Sequence, residues 1–284
     1  MDRFDHLELN AGAADAGSVA PGQPARQAPA DGPSFYRAAR RMREAGFFDT
    51  AAGLFERAVG FDDQNYRAWV QWVDSLVRAG KLDEADSVSR DAVKNYGQVR
   101  LFYASRALAL AHRGAFDEAL PQSDVSIEGE KAHWYALCSR AEVLLRMSQD
   151  NREQACMLLE EAVEKGTGWE PHFIGGHALL DAGWPALAAG YFSEAVRCMP
   201  SAAAGLLYLG DAFHALRLYD QAMFYYQKAI EVEPNHELAL ERQKACAPSL
   251  FGLTRVFRRD DLRKRWNREF EKLVKHWEPT IDDF

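Results

Sequence analysis

The chain has 284 residues, 48% of them hydrophobic and 27% charged, with a formal net charge of −8. That length suits one extended array or two compact domains, and the acidic balance argues against indiscriminate binding to nucleic acid. No run of about 18 apolar residues is present and the first residues lack a continuous apolar core, so neither a membrane span nor a secretory signal is read.

Residues 1–31 are rich in Ala, Gly and Pro and are expected to form a disordered arm, with Phe4, Leu7 and Leu9 its few apolar points. From Gly32 to His236 the sequence then keeps a 34-residue beat. Its clearest statement is the last, Ala203 to His236, with Leu206, Leu209, Gly210, Phe213, Ala222, Tyr226, Ala229 and Pro234. One period earlier stand His172, Gly176, Leu179, Ala188, Phe192, Ala195 and Pro200. Before them come Trp134, Cys138, Ala141, Ala155, Leu159 and Ala162, and then Tyr103, Ala107, Leu110 and Ala119. The first two units carry Phe35, Ala39, Met42, Ala51, Phe55 and Ala58, then Trp69, Val73, Leu76, Ala85 and Ala92. Spacings of three and four put these residues on single helix faces, small ones where helices approach and large ones to fill the space between units.

In these residues the chain strongly resembles the tetratricopeptide repeat family. The resemblance implies an all-α fold, a right-handed α-solenoid of about six helix pairs over 32–65, 66–99, 100–130, 131–168, 169–202 and 203–236. Gly46, Gly80, Gly114, Gly183, Pro200 and Pro234 fall at the turns. Two units depart from the beat. The third is short and places Ser123 and Ser126 where an aromatic and an Ala are usual, so looser packing is expected there. The fourth has about five extra residues between Arg146 and Ala155, which predicts an enlarged loop.

Cys138, Cys156, Cys198 and Cys246 form no CxxC pair and have no His at metal-ligand spacing, which fits reduced thiols in a cytoplasmic protein.

The resemblance places function on a concave groove lined by the first helix of each unit. Among the lining positions, Tyr36, Arg40, Arg43, Tyr135, Phe173, His177, Leu207, Asp211 and His214 are the expected partner-binding residues; Arg78, His112 and Glu142 also fall on this face. Tyr135, Phe173 and Leu207 would serve as apolar anchors and Arg40 and Arg43 would receive acidic groups. The Lys and Asn residues with which some family members hold chaperone tails are replaced by Tyr36 and Arg40, then Val70 and Asp74. The function implied is a scaffold or adaptor for a peptide or helix of another protein, with no catalytic residues, no resident metal and no cofactor. Two alternatives stand beside it. One is a chaperone for a secreted or assembling subunit, as several bacterial relatives are. The other is a metal-binding or hydrolytic protein using His177, Asp181, Asp211 and His214.

Residues 237–277 are expected to form capping and basic amphipathic helices, followed by an acidic tail at 278–284. Leu262, Trp266, Phe270, Leu273 and Trp277 make one apolar stripe, and residues 250–276 carry nine Lys or Arg against four Asp or Glu. This stripe reads as a cap over the solenoid's end. The sharper reading is a docking helix in which Arg263, Arg265, Trp266, Phe270 and Trp277 hold an acidic partner or a second copy of the chain. The acidic array argues against nucleic acid or an anionic membrane as its target.

Overall fold

The computed structural model describes residues 31–129 and 132–246. These form helices and turns without a strand. The first pairs are α1 (Gly32–Ala45) with α2 (Phe48–Phe61), α3 (Tyr66–Arg78) with α4 (Leu82–Asn95), and α5 (Arg100–His112) with α6 (Phe116–Ile127). Then come α7 (Trp134–Met147) with α8 (Arg152–Lys165), α9 (Glu170–Asp181) with α10 (Pro185–Cys198), and α11 (Ala203–Ala215) with α12 (Tyr219–Val232). A last helix, α13 (Glu237–Cys246), packs on α12. No helix among the described residues is long and apolar enough to cross a membrane.

Local chemistry sets the helix ends. The Asp31 carboxylate accepts from the Ser34 backbone N–H at 2.8 Å and caps α1. Gly46, at φ 90°, closes the same helix. There its N–H reaches the Arg43 carbonyl at 2.9 Å and the Phe47 N–H reaches the Met42 carbonyl at 2.8 Å. That left-handed closure suits glycine, and Gly80, Gly114 and Gly183 repeat it with φ between 76° and 84°. The sixth unit has no glycine there, and Arg217 takes the left-handed conformation at φ 60°.

The small and large positions of the beat interlock within each pair. A Cβ added at Gly210 would lie 2.5 Å from the Tyr226 ring, and one added at Gly176 would lie 2.8 Å from Phe192. Helix backbones can approach this closely only where the facing residue is small, and the ring fills the dent. Phe55 and Phe192 are completely buried, and each such side chain contributes about 1.5–3 kcal/mol.

The two irregular units are resolved differently from one another. Ser123 and Ser126 are buried, but their hydroxyls donate to the carbonyls of Leu120 and Ser123 at 2.8 and 2.7 Å. Arg140 also reaches the Ser123 hydroxyl at 2.5 Å. Polar bonding therefore stands in for the missing apolar contacts, and the unit is closed rather than loose. The extra residues of the fourth unit form a 3-10 turn, Gln149–Asn151, and the Asn151 amide donates to the Leu144 carbonyl at 3.1 Å.

The first helices of the pairs form an inner layer, with α3 on α5, α5 on α7, α7 on α9 and α9 on α11. The layer then comes back on itself, because α1 packs against α11. Phe47 packs against His236 in a tilted pair with ring centroids 4.8 Å apart, and Phe48 meets Phe173 at 6.2 Å and Tyr208 at 6.3 Å. The first unit is thus lodged against the fifth and sixth.

Candidate functional site

The inner layer carries the residues that the sequence points to. Arg43 of α1 is 2.8 Å from Asp74 of α3 and 3.0 Å from Glu170 of α9. Arg78 of α3 grips Glu142 of α7 through two hydrogen bonds, 3.1 and 2.9 Å, and both side chains are fully buried. His112 of α5 reaches the same carboxylate at 2.6 Å. Buried charges therefore link all of α1, α3, α5, α7 and α9.

Electrostatics keep Glu142 and Arg78 ionised. Burial raises the pKa of Glu142, but Arg78 and His112 outweigh it and hold the carboxyl well below its ordinary range. Burial alone would lower the Arg78 pKa, yet Glu142 and Asp74 raise it. Burial, followed by Arg78, lowers the pKa of His177 and favours its neutral ring. Tyr135 is pushed well above its ordinary value by burial and then by Asp74.

The expected groove residues divide into two sets. Tyr36 is half-buried and Arg40 and His214 are exposed, so these line the accessible rim. Arg43, Tyr135, His177, Phe173 and Leu207 are buried. Phe173 and Leu207, expected as anchors in an open groove, are 1% and 0% exposed because the inner helices converge and use them as core. The layer's polar surface is less completely matched. Asp74 Oδ1, Ser75 Oγ, the Tyr135 hydroxyl, Ser139 Oγ and both His177 ring nitrogens are buried with no hydrogen-bond partner among the described residues. An unmatched buried polar atom typically costs about 1–3 kcal/mol.

The expected cluster of His177, Asp181, Asp211 and His214 does not assemble as four. His177 and Asp181 stay together at 3.5 Å, whereas Asp211 pairs with Arg242 and accepts from the Tyr226 hydroxyl at 2.8 Å. His214 lies 5.3 Å from the Tyr219 ring. His112 and Glu142 instead stand beside Asp181, the ligand atoms of the three lying within 4.8 Å of one another. Their grouping was signalled by position, since His112, Glu142 and Asp181 occupy the twelfth or thirteenth place of successive units. Arg263, Arg265, Trp266, Phe270 and Trp277, together with the arm, lie outside the described residues.

An alternation of inner and outer helices with interlocked small and aromatic residues defines a helical-repeat solenoid, the architecture of a protein–protein interaction scaffold. The family model described as tetratricopeptide repeat matches residues 70–124 and 175–236, so the chain carries repeats of that family in those two stretches. Among solved structures it is similar to YrrB, a repeat protein with an unusual peptide-binding site, at 19% identity, with 67% of this chain and 97% of that one covered and a TM-score of 0.41. TTC0263, a thermophilic repeat protein of Thermus thermophilus, aligns at 19% identity over 76% of this chain and 98% of its own, TM-score 0.43. The TPR2AB domain of yeast Sti1, solved in complex with pHSP90, aligns at 17% over 76% and 82%, TM-score 0.32. No curated protein matches the sequence.

Proposed function

We propose that this protein is an adaptor that takes an extended segment of a partner protein along its inner layer. The observation that carries this reading is the row of unmatched polar atoms on that layer, Ser75 Oγ, the Tyr135 hydroxyl and Ser139 Oγ. Backbone amides and carbonyls of a partner supply the donors and acceptors these atoms lack. Tyr36, Arg40 and His214 at the rim make first contact, and α1 parts from α11 as the segment enters. Arg43 and Asp211 exchange internal partners for the segment's charged groups, while Phe173 and Leu207 keep the wall in shape. The partner's affinity is reduced by the free energy of opening, so recognition selects a minor open form.

The test is affinity capture with mass spectrometry, comparing the wild type with a Tyr36→Ala, Arg40→Glu, His214→Ala variant. These positions are not buried, so circular dichroism should be unchanged. Loss of the captured partner from the variant supports the reading; equal capture by a well-folded variant removes it.

A further inference from the structure

His112, Glu142 and Asp181 come from α5, α7 and α9 and present ligand atoms within 4.8 Å of one another. One turn before Asp181 on α9 stands His177, whose Nδ1 lies 3.5 Å from Asp181 Oδ2. His177 is 8% exposed, and neither of its nitrogens has a hydrogen-bond partner among the described residues. Its ring packs against Tyr208 and Phe173, with centroids 4.7 and 6.1 Å away, and this holds it beside a group of two carboxylates and a second imidazole. The geometry points to a divalent transition-metal site formed by His112, Glu142 and Asp181, with His177 supporting Asp181 beside it.

The donor set suits that chemistry. An imidazole nitrogen with two carboxylate oxygens favours a zinc-class ion over calcium or magnesium, which prefer all-oxygen shells. Arg78 occupies one side of Glu142 with its two hydrogen bonds. A carboxylate has about four lone-pair positions, so Arg78 orients the ligand, and the metal replaces the His112–Glu142 hydrogen bond with bonds to both. Charge does not oppose the ion either. Around this wall four carboxylates (Asp74, Glu142, Glu170 and Asp181) face three guanidiniums (Arg43, Arg78 and Arg146). Access is through Asp181, whose side chain is 30% exposed. A metal here would staple the third, fourth and fifth units on the inner face.

The experiment uses the full chain, stripped with EDTA and titrated with Zn2+ by calorimetry and with Co2+ by visible absorption. One equivalent should bind saturably, with the d–d bands of a nitrogen- and oxygen-ligated cobalt and a rise in Tm. His177→Ala removes a ring whose one polar contact is the 3.5 Å approach to Asp181, and Asp181→Asn alters a side chain that borders solvent, so both should fold. Each should weaken binding by about 10–100-fold or more, the range that even supporting residues of metal sites carry. Exposed His214→Ala should bind as the wild type does. Stoichiometric binding that survives His177→Ala and Asp181→Asn overturns the assignment, as does cobalt absorption dominated by thiolate charge transfer. No binding by the folded wild type overturns it too.

Discussion

Arg43 and Glu170 are 127 residues apart in the chain and 3.0 Å apart in space. The same guanidinium also bonds Asp74, at 2.8 Å, in a fully buried setting. Removing one partner of such a pair leaves the other charge buried and uncompensated, which costs more than the pair itself contributes. Arg43→Met should therefore destabilise the protein by about 3 kcal/mol, since it leaves the buried Asp74 carboxylate only its 3.6 Å approach to Arg78. Glu170 is partly solvated, and Glu170→Gln should cost only about 1 kcal/mol. Urea denaturation of the two variants tests the order, and equal losses would contradict it.

The close approach at Gly210 makes an opposite pair of predictions with Arg217. A methyl group at Gly210 meets the Tyr226 ring at 2.5 Å, so Gly210→Ala should lose about 1–3 kcal/mol by overpacking. Arg217 holds a left-handed backbone at φ 60° in the turn after α11. Arg217→Gly relieves that conformation and should gain up to about 1 kcal/mol, visible as a higher melting temperature.

Acid should weaken the fold in two stages. Burial lowers the pKa values of His177 and His236 from 6.5, and His133 and His172 shift the same way. Below that value the unfolded chain takes up protons that the folded one refuses, so stability falls as pH drops through 6.5. Glu142, held ionised by Arg78 and His112, adds a second loss when the unfolded carboxyl protonates below its ordinary 4.5. His177→Gln with His236→Gln should flatten the first stage and leave the second. Denaturation midpoints measured in EDTA from about pH 7.5 to 4 would show it, and a wild type equally stable at about pH 7 and 5.5 would refute it.

Thiol reactivity should rank by burial. Cys198 is exposed, Cys156 and Cys246 are intermediate, and Cys138 is fully buried with its thiol pKa pushed up by burial and by Glu142. Iodoacetamide labelling followed by peptide mapping should mark Cys198 first. Cys138 should react only on the timescale of unfolding.

The helix pairs were legible because their signal is local. Gly176 with Phe192 and Gly210 with Tyr226 are each 16 residues apart, and the sterics of a helix hairpin demand that pairing wherever the chain repeats. The inner layer was legible only by position. Periodicity shows that Phe173 and Leu207 face inward, but whether an inward face is an open groove or a core depends on the superhelical curvature. That curvature accumulates from small rotations at every interface. Position put His112, Glu142 and Asp181 on the same face of successive units, but how near they come depends on that curvature too, since they join three units. His177 with Asp181 was visible because both lie on one helix.

The return of α1 to α11 changes how the array comes apart. In an open stack an end pair frays by giving up one neighbour, and thermal energy peels units away in sequence. Here the first pair touches α3 on one side and, through Gly46, Phe47 and Phe48, the residues Ala204, His236, Phe173 and Tyr208 on the other. Its departure breaks two interfaces at once. Melting should accordingly be a single concerted event, with amides of α1 exchanging nearly as slowly as those at the middle of the chain.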